Sequence, residues 1–187
     1  MKISQVSAAV SLALAALIAL PASAANDGVI NFNGLVTDVT CTIEGEAPGG
    51  GSVVKNVDLG GVSAARLTNA GDRANLTGFS IRVGAPGETA CTNGRTAMVA
   101  FDPTSPAIDV ATGRLNIDTT GDAASNVQVE VTQRDGTPIH VYTEKSEGVV
   151  IADNQAVIPL AAQYYATGAA GEGQVATRVG FMIEYAE

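Results

Sequence analysis

Side chains that could do chemistry are scarce in this sequence, which has one histidine, His140, two cysteines, Cys41 and Cys91, and no tryptophan. A zinc site or a Cys–His nucleophile pair needs several such residues brought close together. His140 follows Pro138 and Ile139 in a short extended stretch, so we interpret it as structural or exposed. The sequence therefore predicts neither a metal site nor a histidine-based catalytic site.

Carboxylates are the remaining candidates for acid–base catalysis. Glu44, Glu46 and Asp58 flank a glycine-rich loop at 47–52, which gives them no fixed mutual geometry. The loop also lacks the Lys-Ser/Thr pair that completes a phosphate-binding loop. We therefore expect solvated loop charges, no enzyme activity and no cofactor.

The charge balance argues against a nucleic-acid partner. The chain carries 10 Lys+Arg against 19 Asp+Glu, a net charge of -9, whereas neutralising phosphates requires a basic face. Hydrophobic residues make up 46% of the 187 residues and charged residues 16%, which is typical of one folded domain.

The first 24 residues have the pattern of a secretory signal peptide. Lys2 precedes an apolar run at 6–20, Pro21 ends that run, and Ala-Ser-Ala at 22–24 is a small-x-small cleavage site. The run is about 15 residues, shorter than the roughly 20 that a membrane span needs. We expect cleavage after residue 24 and no bilayer insertion of the mature chain; an uncleaved anchor helix is the alternative.

Export determines the expected state of the two cysteines. In an oxidising compartment Cys41 and Cys91 form a disulfide by default. A bridge that closes a loop of about 50 residues stabilises by about 4 kcal/mol in the chain-entropy model. A reactive thiol pair is the alternative, but neither cysteine lies in a CxxC motif or beside a histidine.

The elements that must position these residues are predicted to be short strands. Apolar and polar residues alternate with a period of two, and no stretch of about 11 residues shows a helical stripe. The predicted strands lie at 29–36, 39–43, 53–59, 79–83, 97–101, 115–117, 127–131, 139–142, 155–161, 163–166 and 176–185. Asp135-Gly136 is a hairpin signal. Such spacing around one disulfide predicts an antiparallel β-sandwich.

The first predicted strand lies next to the mature N-terminus and places Ile30, Phe32, Gly34 and Val36 on one face. It could be the first strand of its own sandwich, or an arm that pairs with a different molecule. Gly34 inside the strand is typical of a close approach by another backbone. The spacing alone leaves both interpretations open.

Several motifs together carry a family resemblance. They are Gly-Val-Ile-Asn-Phe-Asn-Gly at 28–34 followed by Cys41, Gly-Phe-Ser-Ile at 78–81, the stretch 126–136, and Tyr-Tyr-Ala-Thr-Gly at 164–168 with a near-terminal Tyr185. With these residues the mature chain resembles the major subunit of type 1 fimbriae, which the chaperone-usher route assembles in Gram-negative bacteria. Two departures are a short arm before Cys41 and a chain that continues for Ala186 and Glu187 after the last tyrosine.

The resemblance implies an all-β fold, an incomplete immunoglobulin-like β-sandwich that lacks its last strand and is completed by a donor strand from another subunit. The donor strand would be residues 25–36 and the incomplete domain residues 37–187. Ile30, Phe32, Gly34 and Val36 would enter the neighbour's groove, with Gly34 at a shallow point. One side of the acceptor groove would be formed by Val179, Phe181, Ile183 and Tyr185. Cys41 and Cys91 match the family's bridge.

The function implied is that of a structural subunit, exported through the periplasm to an extracellular fimbrium. It would polymerise head to tail by donor-strand exchange and build the pilus rod for cell adhesion and biofilm. The implied partners are identical or homologous pilin subunits, a periplasmic chaperone and an outer-membrane usher. Two alternatives stay open, a minor pilus subunit and a secreted monomeric β-sandwich that binds sugar or protein. Four Tyr and four Phe, mostly in strand patterns, are few for a sugar-stacking surface.

Overall fold

The regular structure consists of seven strands and one short 3-10 turn, Ala64–Arg66, within residues 41–49 and 53–187, which are the residues that the computed structural model describes. The strands are β1 (Arg73–Gly84), β2 (Thr96–Phe101), β3 (Leu115–Asn116), β4 (Ser125–Gln133), β5 (Val149–Val150), β6 (Gln155–Gly171) and β7 (Phe181–Ala186). The predicted signal peptide at 1–24 and the predicted donor strand at 25–36, with Ile30, Phe32, Gly34 and Val36, lie outside the described residues.

The strands form two antiparallel sheets that share one core. One sheet has the order β1-β6-β4-β3 and the other the order β5-β2-β7. Alternate side chains of each sheet point inward, so that Val129 and Ile158 of the first pack in one cluster with Val99 and Ile183 of the second. The predicted antiparallel β-sandwich is confirmed.

Part of the outer face of the larger sheet is also buried, around a cluster of polar side chains. The side chain of Glu130 on β4 is 3% exposed and accepts hydrogen bonds from Arg73 Nε at 2.7 Å and Gln163 Nε2 at 2.9 Å. The Arg114 guanidinium lies 3.8 Å from the ring centroid of Tyr165. These contacts join β1, β4 and β6 across the surface, and they satisfy a carboxylate that would otherwise be costly to bury.

The predicted bridge between Cys41 and Cys91 is formed, and both residues are fully buried. The chain after Cys41 lies against the end of β1, where the Gly84 N–H donates to the Thr42 carbonyl at 2.7 Å. Thr42 also donates twice to the carboxylate of Glu88, from its N–H at 2.6 Å and from its hydroxyl at 2.8 Å. The disulfide and these bonds together fix residues 41 and 42 to the sheet.

Two of the strand predictions are wrong in the first half and middle of the chain. Residues 53–59 form no strand, although Val57 and Leu59 are partly buried in alternation with exposed Asp58. The predicted return strand 139–142 is replaced by a turn, because the N–H groups of Thr143 and Glu144 both donate to the His140 carbonyl, at 2.9 and 2.8 Å.

Two predictions near the C-terminus have the wrong bounds. Residues 155–161 and 163–166 belong to one continuous strand, β6, since Ala162 between them pairs with Thr77 of β1 on one side and Val131 of β4 on the other. The last strand begins at Phe181 instead of residue 176, because its partner β2 ends at Phe101 opposite Phe181. Val179 therefore precedes β7.

Candidate functional site

The free edge of β7 is the feature that could bind another chain. β7 pairs with β2 along its whole length, from Phe181 opposite Phe101 to Ala186 opposite Thr96. Within 41–49 and 53–187, no strand pairs with its other edge. An edge strand presents a row of backbone donors and acceptors, which is a template for pairing with a further strand.

The inward side chains along this edge are apolar and incompletely covered. Ile183 is 3% exposed, whereas Val179, Phe181 and Tyr185 are only partly buried although they pack against the same core. The alternate residue Met182 points outward and is 40% exposed. The four residues predicted for the acceptor groove thus share one face, and three of them keep apolar surface that another segment could cover.

A second segment, residues 57–63, forms a wall opposite the chain that leads into β7. A cavity of about 540 Å³ lies between this segment and residues 170–175, with Leu67, Val127 and Tyr164 among its lining residues. Leu59 packs against the main core and also against a smaller cluster around Leu67. Leu59 thus packs against the same core as Phe181 and Tyr185 of β7, and we call the cavity and the apolar strip of β7 together the groove.

Sequence reasoning missed the role of this wall, because the alternation at 53–59 predicted a paired strand. It also gave Tyr164 only a place in a motif, whereas the Tyr164 hydroxyl donates to the Gly60 carbonyl of the wall at 2.7 Å. The sequence signal for this contact was the tyrosine within the motif. Its hydroxyl binds a backbone carbonyl, and phenylalanine at this position would lose that bond.

Two tyrosines at the groove have raised pKa values. Burial, and secondarily the charge of Glu88, raises the pKa of Tyr185 to about 12. Burial, and secondarily the charge of Asp58, raises the pKa of Tyr164. Both phenols are therefore neutral at physiological pH and present a mainly apolar surface to the groove.

Tyr185→Phe is expected to reduce the loss of stability at alkaline pH. An unfolded tyrosine loses its proton near pH 10, while folded Tyr185 holds it to about pH 12. The contribution of Tyr185 to the free energy of unfolding is fully present below about pH 10. It is lost as pH rises toward about 12, because the unfolded state then binds fewer protons than the folded state. Allowing for partial exposure, the effect is on the order of 1 kcal/mol. Urea unfolding at about pH 9 and about pH 11 measures it.

The matched control for this change is Tyr142→Phe, since Tyr142 is 40% exposed and lies in the turn at 141–143. Wild type and Tyr142→Phe should lose stability in parallel between the two pH values. An equal loss in Tyr185→Phe would contradict the assignment of the alkaline effect to Tyr185.

The other candidate residues do not converge on one place. The carboxylate of Glu44 accepts a bond from Lys55 Nζ at 3.2 Å, while that of Asp58 accepts one from the Gly60 N–H at 2.8 Å. His140 is partly exposed in its turn. In the described part of the chain, no three His, Cys, Asp or Glu side chains are placed to hold a metal ion. No helix there combines the length and the apolar character needed to cross a membrane.

Residues 30–186 match the family described as Fimbrial protein. This chain belongs to that family. The matched residues include those of the groove and both cysteines of the disulfide. The family consists of fimbrial subunits, so the chain is a structural subunit of a pilus.

Curated relatives span nearly the whole chain. The major fimbrial subunit SMF-1 of Stenotrophomonas maltophilia is 38% identical over 181 residues, which cover 90% of this chain and 99% of the relative. The F17 fimbrial protein of Escherichia coli is 33% identical, covering 93% of this chain and 96% of the relative. The minor fimbrial subunit HifD of Haemophilus influenzae is 32% identical, covering 92% of this chain and 80% of the relative.

Solved structures agree on the fold. A subunit from a structure of a chaperone-usher pilus aligns with a TM-score of 0.56 and 20% identity, covering 89% of this chain and 100% of that chain. The P pilus rod subunit PapA aligns with a TM-score of 0.53 and 18% identity, covering 79% of this chain and 100% of that chain. The immunoglobulin-like pilin fold expected from the sequence is confirmed.

Proposed function

We propose that copies of this chain polymerise head to tail, with residues 25–36 of one subunit filling the groove of the next. The observation that carries the proposal is the free edge of β7 beside the incompletely covered side chains of Phe181 and Tyr185. A donated strand would pair with this edge and cover these side chains at once. Addition of a strand to an exposed sheet edge is an established mode of peptide recognition.

The donor residues are assigned by their alternation. Ile30, Phe32 and Val36 would point into the groove, and Gly34 would cross its shallow part, where a larger side chain would clash. Burying each large apolar side chain contributes about 1.5–3 kcal/mol. The backbone ladder along β7 gives affinity, and the alternating side chains give register.

A contact of this kind does not close on itself, because the arm and the groove are different surfaces of one subunit. Head-to-tail association without closure gives an open helical filament. Dissociation requires removal of a whole strand, so the polymer is kinetically persistent. Such a filament suits a rod on the cell surface that serves adhesion and biofilm formation.

The route to the surface involves two further partners in this proposal. A subunit with an empty groove exposes apolar side chains and unpaired backbone groups, which promotes aggregation. A periplasmic chaperone that lends a strand would prevent this, and an outer-membrane usher would exchange that strand for the next subunit's arm. None of these steps needs a cofactor or a catalytic residue, and we propose no enzymatic role.

Surface material analysed in denaturing gels without heating is expected to show a ladder in steps of one mature chain, which collapses to monomer on boiling. The ladder should persist with reductant before boiling, because the two cysteines are bonded within one subunit and are buried. Mass analysis of the bands identifies the chains in them. A monomer band under both conditions would count against polymerisation.

A minor-subunit role is a second candidate, because one relative of 32% identity is itself a minor fimbrial subunit. The same ladder separates the two roles. Bands composed of this chain alone indicate the rod, whereas bands in which it is always accompanied by a different and more abundant subunit indicate a minor component.

A further inference from the structure

The wall at 57–63 is held in an unusual way. It forms no strand, and three consecutive carbonyls in it accept hydrogen bonds from side chains. Asn75 Nδ2 donates to the carbonyl of Leu59 at 3.0 Å and to that of Gly61 at 3.1 Å. The Tyr164 hydroxyl donates to the Gly60 carbonyl between them at 2.7 Å. We call Asn75 and Tyr164 the clamp.

The position of Asn75 depends on a local irregularity of β1. The register between β1 and β6 shifts between Ala74 and Thr77, which is a β-bulge. Asn75 has a φ of +55°, in the left-handed region that asparagine and glycine tolerate better than other residues. The bulge places an asparagine next to the wall, where its amide reaches two carbonyls.

Among the described residues, the other contacts of residues 58–62 in the wall are the packing of Leu59 and Val62 and the bond from the Gly60 N–H to Asp58. Gly60 and Gly61 are adjacent and exposed, and Gly60 has a φ of +66°. Glycines lose more conformational freedom on ordering than other residues. The clamp therefore supplies a large part of the order of this wall in the empty subunit.

We propose that Asn75 and Tyr164 are positioning residues that pre-form the receiving wall of the groove and so set the rate at which an incoming strand is taken up. This rests on the proposed function, in which the groove receives residues 25–36 of another copy. Pre-ordering a binding surface removes an ordering cost that association would otherwise include. During exchange the chaperone's strand leaves the groove, and the clamp then keeps the wall in place for the incoming strand. Once residues 25–36 fill the groove they pack against the wall themselves, so the clamp matters less for the stability of the product.

The test uses the mature subunit purified as a complex with its periplasmic chaperone, and a fluorescent peptide of residues 25–40. The rise in fluorescence anisotropy gives the rate of peptide uptake, and thermal unfolding of the filled product gives its stability. Asn75→Gly keeps the left-handed backbone and removes both amide bonds; its uptake should be about tenfold slower. Tyr164→Phe removes one bond, and about threefold slower uptake is expected.

The matched control is Asn154→Gly. Asn154 also has a positive φ, +60°, and its amide also donates to a backbone carbonyl, that of Cys91 at 2.9 Å. It directly precedes β6, at the opposite end of that strand from the cavity. Its uptake rate should equal that of wild type, and the unfolding temperature of filled Asn75→Gly should fall no further than that of filled Asn154→Gly.

Each outcome is decisive. If the wild-type complex takes up the peptide and Asn75→Gly does so at the same rate, the proposed role of the clamp is wrong and the proposed function still stands. The same holds for a slowing that Asn154→Gly shares, because it would reflect a general loss of stability. A wild-type complex that takes up no peptide overturns the proposed function and the clamp together.

Discussion

The double variant Cys41→Ala/Cys91→Ala is expected to unfold with a free energy about 4 kcal/mol below that of wild type and to accumulate poorly in the periplasm. The bridge spans a sequence separation of 50 residues, and a loop of that length gives about this stabilisation in the chain-entropy model. A domain's whole stability is about 5–15 kcal/mol, so the loss would remove a large share of it and raise the unfolded fraction on the order of a thousandfold.

The location of the bridge makes the expected loss local as well as global. Cys41 is followed by the bonds of Thr42 to Gly84 and Glu88, which hold the start of the described domain against the end of β1. Without the disulfide, these bonds alone would have to keep residues 41 and 42 in place. Residues 37–40 join that segment to the proposed arm at 25–36 in sequence, so loss of the bridge also loosens the point from which the arm would extend.

Urea unfolding of the purified, strand-filled subunit measures the change in free energy, and immunoblots of periplasmic extracts measure the yield. Alanine at both positions avoids a free thiol that could form mixed disulfides. Thr42→Val is the control, because it removes one hydroxyl bond to Glu88 and keeps the bridge; it should cost about 1 kcal/mol. Equal stability and yield in the double variant and wild type would show that the bridge is dispensable.

Alternation predicted the strands whose pairing lies within the described chain. The patterns at 79–83, 97–101 and 127–131 fall inside β1, β2 and β4, because one face of each strand packs into a shared core and the period of two records that burial. The inward face of the last strand was predicted for the same reason. The structure confirms that Phe181, Ile183 and Tyr185 alternate inward.

Alternation failed at 53–59, and the failure has a physical meaning. The pattern records that Val57 and Leu59 are half-buried, which is correct. A strand also needs a hydrogen-bonded partner, and the described residues supply none for this segment. The free edge of β7 likewise has no hydrogen-bonded partner strand among the described residues. Sequence alternation reports burial of side chains and cannot report which molecule provides the ladder.

Other features depend on contacts that no local pattern encodes. The predicted strands 155–161 and 163–166 leave out Ala162, yet the pairing of Ala162 with Thr77 of β1 and Val131 of β4 allows β6 to continue. The clamp depends on a bulge whose location follows from the pairing of β1 with β6. Asn75 is an ordinary polar residue in sequence, and its role follows only from that register.

Ile30→Asp/Phe32→Asp is expected to abolish fibre extension, with no multimer ladder in unheated gels and no fibres by electron microscopy. Both residues lie on the apolar face of the proposed arm. A carboxylate carried into an apolar groove without a partner costs several kcal/mol, which strand exchange cannot offset twice in one short segment. The variant should still fold and still accept a wild-type arm, because its own groove is unchanged.

The control places the same two charges on the opposite face of the same strand. Asn31→Asp/Asn33→Asp adds equal charge at neighbouring positions, but alternate residues of a strand point to opposite sides, so in the proposed arm these side chains would face away from the groove. Normal fibres from this variant, with none from Ile30→Asp/Phe32→Asp, assign the inward face and its register together. Fibres from both would contradict the arm as donor. Loss of fibres from both would mean that negative charge anywhere in the arm blocks assembly, and the assignment of Ile30, Phe32, Gly34 and Val36 to the inward face would fail.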